Sequence, residues 1–263
     1  MLIEQAFGRN INIIEYDHVP IYWISSLTRW PPSIDSFIFC QTLINSGYHK
    51  TRIYSILDIG CGTGVLGTYL AVKNPNIRSV SFSDIDPSAT KLATFNLKNN
   101  IITQQGRNIE IKQYFGKGFY PLHNASNDGE KTFDLILCTS PYIPMFKREM
   151  PIASPAEGTG LLEEVVTYFS LYSNELVIGI SHLAVPDLEH AIETTYLRRG
   201  VKLDISPLNG DGTLVPLRIP WLKEDHLQEL VNKRKLIKGS PYPSYQEFKY
   251  WHRIIVYRIK EKA

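Results

Sequence analysis

The feature that most constrains this fold is a glycine-rich turn directly after an apolar run. Residues 57–64 read LDIGCGTG, and an apolar segment with helical spacing follows from Val65 to Lys73. Glycines permit a tight backbone path and let a ligand approach closely, so strand, glycine turn and helix together are typical of cofactor-binding α/β domains. Residues 62–67 also match GxGxxG, which alone is weak evidence for a dinucleotide site.

Strands and helices alternate along most of the chain. Seven apolar runs predict buried strands, and four segments predict helices. Asp86 is expected to cap the second helix, with Pro87 at its first position, and Gly200 is expected to end the fourth. The strands are predicted at 53–57, 79–82, 109–111, 133–138, 176–180, 201–205 and 254–257, and the helices at 65–73, 87–99, 159–173 and 186–199. This alternation predicts a doubly wound, mostly parallel α/β sheet.

The two ends of the chain depart from this alternation. Residues 1–50 form an N-terminal entry segment, in which 12–23 could be a strand pair and 36–46 a helix. The core spans 51–206, and residues 251–263 hold the last strand and a tail.

Between the last two strands, residues 207–250 are rich in proline, glycine and aromatic residues, which predicts a lid insertion with a helix near 223–235. Without a crossover helix packed on the sheet before it, the last strand is expected to run antiparallel.

Composition excludes several classes of protein. The 263 residues suit one α/β domain with additions, and no run approaches the ~18 apolar residues of a membrane helix. Three cysteines, Cys40, Cys61 and Cys138, are far apart without a CxxC pair, so we expect neither a disulfide framework nor a metal site. No secretory signal is visible, and a cytoplasmic location is expected. The net charge of +2 demands no polyanion partner, although residues 228–263 are basic.

Two acidic residues favour one cofactor over another. Asp58 ends the strand before the glycines, where its carboxylate would repel a pyrophosphate but can serve the cationic end of S-adenosylmethionine, directly or through water. The loop amides would then take the cofactor's carboxylate. A nicotinamide or flavin dinucleotide, or a plain tight turn, remain the alternatives. The loop residues so assigned are Gly60, Cys61, Gly62, Thr63 and Gly64.

A second acid, Asp84, lies twenty residues beyond Gly64 at the end of the next predicted strand. From that position a carboxylate can accept both ribose hydroxyls, and Ile85 would pack on the adenine. Asp86 is explained by helix capping.

These residues carry a resemblance. LDIGCGTGVLG followed by SDIDPSA resembles the Rossmann-like, seven-strand methyltransferase superfamily, from about Trp30 to Ser181. The resemblance implies a seven-stranded sheet with an antiparallel last strand, and S-adenosylmethionine as methyl donor. Many members also place an acid after the third strand to contact the adenine amino group, but residues 114–120, YFGKGFY, contain none.

A second stretch, FDLILCTSPYIP at 133–144, resembles the Asn-Pro-Pro-Tyr motif of amino-group methyltransferases. That group includes enzymes that methylate the glutamine amide of release factors and enzymes that act on adenine. WPPSIDSF at 30–37 is similar to the entry segment of the eukaryote-type release-factor enzymes, and GTGL at 158–161 lies where related enzymes begin their next helix. The implied catalytic set is Thr139, Ser140, Pro141 and Tyr142, with Thr139 also beside the cofactor.

The motif has a clear chemical purpose. A planar NH2 group is a poor nucleophile, so acceptors that hold its hydrogens and an aromatic ring that packs on its plane orient it for in-line transfer. Thr139 replaces the family's asparagine and offers a hydroxyl acceptor, while Tyr142 keeps the stacking role. The acceptor stays open between an amide or amino nitrogen and another N, O or C atom of a small molecule. A non-catalytic donor-binding protein, or an ordinary turn with a packed aromatic residue, is the remaining interpretation.

Other candidates are weaker. His182 follows the fifth core strand and could either face a substrate or be structural. His252 opens the last strand beside Trp251 and is expected to be a packed structural residue. Residues 148–158 are expected near the pocket. The predicted lid combines aromatic and basic residues, which suits nucleic acid, a small apolar substrate or a dimer face. Its members are Arg218, Trp221, Lys233, Arg234, Tyr242, Tyr245, Phe248, Tyr250 and Trp251. The methyl acceptor could thus be protein glutamine, a small molecule or nucleic acid, with no membrane partner and the oligomeric state open.

Overall fold

The computed structural model describes two compact units. The first comprises residues 1–139 and 168–177, and the second 140–167 and 178–263. The residues described are 11–24, 31–123, 132–139, 141–144, 158–217 and 222–262. Trp30, Ser140, Arg218, Trp221 and residues 145–157, which the sequence singled out, lie outside them.

The first unit contains a parallel sheet in the order β6-β3-β4-β5. Its inner strands are almost wholly buried, as expected for a parallel sheet covered by helices, although one face of the strand at 79–84 carries the buried Ser81 and Ser83. The edge strand β5 alternates partly buried and exposed residues. The four strands are β3 (Ser55–Ile59), β4 (Ser79–Asp84), β5 (Glu110–Phe115) and β6 (Leu135–Cys138).

Three helices accompany this sheet: α1 (Ile34–Asn45), α2 (Val65–Lys73) and α3 (Pro87–Lys98). The predicted start of α3 is confirmed, because Asp86 Oδ1 accepts the Ser88 amide at 2.8 Å and Pro87 occupies the first helical position. Seven of the nine residues of α2 are buried, so this helix packs tightly on almost all sides.

A hairpin precedes the sheet. Strands β1 (Ile11–Tyr16) and β2 (Val19–Ile24) pair antiparallel, which confirms the predicted strand pair. Asp17 and His18 have φ of 49° and 61°, the two left-handed positions of a two-residue hairpin turn.

The second unit is built around the last strand, β11 (Tyr250–Glu261), which pairs antiparallel with β8, β9 and β10 and has β7 as its other neighbour. The predicted antiparallel last strand is thereby confirmed for those three pairings. The remaining elements are α4 (Gly160–Tyr168), β7 (Glu175–Ser181), α5 (Val185–Thr195), β8 (Leu203–Pro207), β9 (Thr213–Pro216), α6 (Glu224–Arg234) and β10 (Ile237–Lys238). β7 begins in the first unit and ends in the second.

The segment predicted as a lid contains the expected helix, α6, and also the short strands β9 and β10. Both strands pair with β11, so part of residues 207–250 belongs to a sheet. They raise the number of sheet strands from the seven predicted to nine in the described ranges. None of the helices described is long and apolar enough to cross a bilayer.

Candidate active site

The strands of the first unit end side by side at one edge of the sheet. Ile59 at the end of β3 pairs with Ser83 on β4 and with Cys138 on β6. The residues that follow, Thr139 and the glycine loop, therefore lie at this edge together with Asp84. Ligands of open α/β sheets bind at the carboxyl ends of the strands, so the edge is the natural binding site of this unit.

The glycine loop follows a left-handed path. Gly60, Gly62 and Gly64 have φ of 67°, 50° and 73°, a region that residues with a Cβ adopt only at a cost. Four of the five loop amides are engaged within the protein: those of Gly60 and Cys61 by the Ser83 carbonyl, that of Gly62 by Asp84, and that of Gly64 by the Cys61 carbonyl. Within the described residues the Thr63 amide makes no hydrogen bond, and Thr63 itself is 3% exposed, so its predicted contact with a ligand stays a prediction.

The loop glycines serve two different purposes. A Cβ at Gly64 would lie 2.5 Å from Ala93 Cβ, and one at Gly67 would lie 2.8 Å from a ring carbon of Phe82. These two glycines let α2 pack closely on its neighbours. At Gly62, by contrast, a Cβ would meet no atom within 4 Å, so the space beyond this residue is open.

Asp58 is a buried residue that links β3 to α2. Its side chain is buried, with 1% of its surface exposed, and its Oδ2 accepts the Gly67 amide at 2.9 Å. Burial raises the pKa of Asp58 to about 7. The carboxylate therefore holds the first turn of α2 against β3, and the predicted contact with a cationic cofactor group stays a prediction.

Asp84 is the second acid at the carboxyl edge of the sheet. Its Oδ2 accepts the Gly62 amide and its Oδ1 accepts the Asp86 amide, both at 2.9 Å. Burial raises the pKa of Asp84, and the hydrogen bonds from these amides oppose that rise. A carboxylate has about four acceptor sites, so this partly buried group is fixed in place and can still accept hydroxyl donors.

Two exposed apolar side chains flank Asp84. Ile85 follows it in the chain and is 74% exposed, and Phe115 pairs with it across β4 and β5 and is 49% exposed. Exposed apolar groups beside a carboxylate match a purine attached to a ribose. Phe115 was not singled out from the sequence; its signal was an aromatic residue at the end of an edge strand, directly before Gly116.

The acceptor motif is divided between the units. Thr139 follows β6 in the first unit, while Pro141 and Tyr142 belong to the second. Pro141 is exposed, and Tyr142 is partly buried with its ring centroid 5.9 Å from that of His252.

Helix α6 anchors the turn that follows Tyr142. Ile143 is buried in an apolar cluster with Leu230 of α6, and His226 Nε2 donates to the Pro144 carbonyl at 3.0 Å. The same helix is fixed by Arg234, which forms a two-point ion pair with Asp187 at 2.7 and 3.1 Å. The helix of the predicted lid is therefore part of the support for the acceptor turn.

Two histidines of the second unit, His182 and His252, are structural. His182 Nδ1 accepts the Arg253 amide at 3.0 Å and its Nε2 donates to the Lys235 carbonyl at 3.1 Å. His252 is 3% exposed, contacts Ser181 Oγ through Nδ1 at 2.9 Å, and burial lowers its pKa to about 3. Burial also lowers the pKa of His182. Both rings are therefore neutral at pH 7, and neither is placed as a general base.

Among the described side chains, no group of three or more His, Cys, Asp or Glu residues is arranged to hold a metal ion.

Part of this chain is similar to known methyltransferases. Residues 36–150 match the family model described as methyltransferase small domain, a stretch that holds the glycine loop, Asp84 and the acceptor motif. The match covers 115 of the 263 residues, so similarity to this methyltransferase family is shown for that part of the chain. A tRNA1(Val) (adenine(37)-N6)-methyltransferase from Shewanella frigidimarina is 31% identical over 100 residues, which is 38% of each chain. A second such protein, from Haemophilus influenzae, is 32% identical over 34% of each chain, so this chain matches only about a third of the length of either relative.

Solved structures agree on the fold. The ribosomal protein L11 methylase from Lactobacillus delbrueckii subsp. bulgaricus has a TM-score of 0.50 at 14% identity, covering 91% of this chain and 84% of its own. M. jannaschii TYW2 in complex with AdoMet has a TM-score of 0.51 at 11% identity, covering 97% and 89%. At these identities the likeness establishes a Rossmann-like α/β fold and nothing beyond it.

Gly64→Ala tests the packing of α2. The new Cβ would be both strained at its φ of 73° and 2.8 Å from Ala93 Cα, so we expect the free energy of unfolding to fall by about 3 kcal/mol or more. Gly106→Ala is the matched control, since its φ is 63° with open space around it, and strain alone should cost about 1–2 kcal/mol. Urea denaturation measures both; equal losses would contradict the packing role.

Asp58→Asn tests the buried acid. The pKa of Asp58 is about 7 in the folded state and near 3.9 in the unfolded chain. Between about pH 4 and pH 7, Asp58 is therefore protonated in the folded protein and ionised in the unfolded chain. The free energy of unfolding should therefore fall as pH rises from about 4 to 7, by up to roughly 1.4 kcal/mol per pH unit, and this contribution should level off above 7.

The asparagine variant should lose that component of the slope, whereas Asp211→Asn, at an exposed aspartate, should keep the wild-type slope. Urea titrations across this pH range make the comparison. A wild-type slope in the Asp58→Asn variant would show that Asp58 is ionised throughout.

Proposed function

We propose that this chain is a methyltransferase that uses S-adenosylmethionine to methylate the exocyclic amino nitrogen of adenine in an RNA. The observation that carries the proposal is Asp84, fixed by two backbone amides at the carboxyl edge of the sheet beside the open space at Gly62. Residues 36–150 match the methyltransferase small domain model, and the relatives are named for adenine N6 methylation; both support the same interpretation.

The residues at this edge fit the cofactor. Asp84 would accept the ribose hydroxyls, Ile85 and Phe115 would present apolar surface to the adenine, and the Thr63 amide, which makes no hydrogen bond within the described residues, would donate to the amino acid carboxylate. The open space next to Gly62 admits the ligand against the loop backbone. When bound, S-adenosylmethionine supplies an electrophilic methyl group.

The protein's own residues act on the acceptor by orientation. The Thr139 hydroxyl accepts a hydrogen of the amino group, and the Tyr142 ring packs on the plane of the base. No strong general base is needed, because an amino nitrogen can lose its extra proton to water after transfer. The rings of His182 and His252 are held in hydrogen bonds within the protein, which agrees with a reaction driven by proximity and electrostatics.

Asp84→Asn and Asp84→Ala test the donor site. Loss of hydrogen bonds to a charged group costs about 1.5–3 kcal/mol, so we expect S-adenosylmethionine to bind about 10- to 100-fold more weakly in calorimetric titrations. Asp86→Asn is the control, since asparagine also caps a helix, and its affinity should stay within about threefold of wild type. Unchanged affinity in both Asp84 variants would remove Asp84 from the ribose role; no donor binding together with tight NAD binding would overturn the cofactor.

The acceptor is tested by transfer of a labelled methyl group to RNA and protein fractions, followed by mass spectrometry of nucleosides and amino acids. We expect N6-methyladenosine as the product, and Thr139→Ala should lower kcat by about tenfold, because the Thr139 hydroxyl orients the acceptor. Label found only on protein glutamine would contradict an RNA acceptor and favour the release-factor branch of the superfamily.

A further inference from the structure

Four aromatic side chains form an exposed cluster in the second unit, which we call the aromatic platform: Tyr242, Tyr245, Phe248 and Trp251. The buried Trp251 ring lies at its centre, with ring centroids 5.3, 6.4 and 6.1 Å from those of Tyr242, Tyr245 and Phe248. Tyr242 and Tyr245 are 44% and 51% exposed. The cluster thus presents two tyrosine rings to solvent on an apolar base.

The platform is held in place by its own backbone. The Tyr245 amide donates to the Tyr242 carbonyl at 3.1 Å, and the Phe248 amide donates to the Tyr245 carbonyl at 3.2 Å. Ser240 Oγ donates to the Tyr242 carbonyl at 2.9 Å, and Trp251 Nε1 donates to the Phe248 carbonyl at 3.1 Å. A surface ordered in advance loses little entropy on binding a ligand.

A cavity of about 420 Å³ adjoins the platform through Phe248. Lys238 and Lys249 line it, and neither ammonium forms an ion pair within the part of the chain that the structure describes. The acid in the lining, Glu224, accepts a hydrogen bond from the Tyr250 hydroxyl at 2.5 Å. Glu247 is an exposed acid close by in the sequence, so two lysines and two acids balance in formal charge here. The two ammonium groups are exposed, whereas the Glu224 carboxylate is engaged by Tyr250.

We infer that the aromatic platform and its two lysines bind single-stranded RNA next to the methylated nucleotide. Exposed rings stack on bases of any sequence, while ammonium groups contact the phosphates between them. Unpaired lysines beside aromatic rings favour this polyanion over an apolar protein partner. The choice of RNA over DNA, and the position next to the target nucleotide, rest on the proposed function.

Helix α6 connects the platform to the acceptor turn within the second unit. Glu224, its first residue, lines the cavity, and His226, two residues further, donates to the Pro144 carbonyl. Tyr250, also in the cavity lining, packs in the same apolar cluster as Ile143. A strand held on the platform is therefore bound to the same rigid group of residues as the acceptor turn.

Binding of a fluorescein-labelled oligoadenylate to the full chain, followed by fluorescence anisotropy, tests the inference. The double variant Tyr242→Ala/Tyr245→Ala should bind about tenfold or more weakly, whereas Tyr242→Phe/Tyr245→Phe should keep wild-type affinity because stacking needs the ring and not the hydroxyl. Tyr54→Ala is the matched control, since Tyr54 is 50% exposed, and it should not change binding.

Salt titration tests the lysines. Lys238→Gln/Lys249→Gln should make the dependence of log affinity on log salt shallower by about 1.4, or about 0.7 for each phosphate that no longer meets a lysine. The same substitution at Lys202, an exposed lysine of the second unit, should leave the slope unchanged.

The platform and the proposed function fail separately. Wild-type affinity in the Tyr242→Ala/Tyr245→Ala variant, absence of oligoadenylate binding by the wild type, or equal binding of the strand annealed to oligouridylate would each overturn the platform, even where S-adenosylmethionine binds. RNA binding that depends on the tyrosines in a protein that binds no S-adenosylmethionine would support the platform and overturn the methyltransferase.

Discussion

The close approach of α2 to the sheet is the constraint on which the candidate site depends. Gly67 has no side chain, so its amide reaches the buried Asp58 carboxylate while the Phe82 ring occupies the space where a Cβ would lie. That hydrogen bond offsets part of the free-energy cost of burying an acid at the end of β3. It also fixes the loop between strand and helix, which leaves the open side of the loop at Gly62.

Two acids that look alike in the sequence therefore have different tasks. Each ends a strand beside the loop, and that position could be predicted from apolar runs and glycines. Which acid is internal could not, because the burial of Asp58 results from the packing of Gly67 and Phe82. Phe115 was missed for a similar reason, since only the pairing of β4 with β5 brings it beside Asp84.

Local signals predicted most of the fold, and long-range pairing accounts for what they missed. The hairpin, the inner parallel strands and the cap of α3 follow from patterns within about ten residues. Strands β9 and β10 have four and two residues, too few to show a pattern, and they exist because β11 offers twelve residues of partner. Segment 207–250 was therefore predicted as a lid, although part of it completes a sheet.

In the second unit, helix α6 gives the proposed acceptor turn at residues 141–144 a rigid support. Helix α6 holds Ile143 and Pro144 through apolar packing and one hydrogen bond, and the neighbouring rings of His182 and His252 are neutral and engaged. A hydroxyl acceptor would need a base to become nucleophilic, whereas an amino nitrogen needs only its hydrogens held and its plane packed. Thr139 stands where amino-group methyltransferases carry asparagine, and it offers an acceptor oxygen on a shorter side chain. Selection of the substrate must then rest more on groups outside the motif, and the exposed rings and lysines near α6 are groups of the kind this requires.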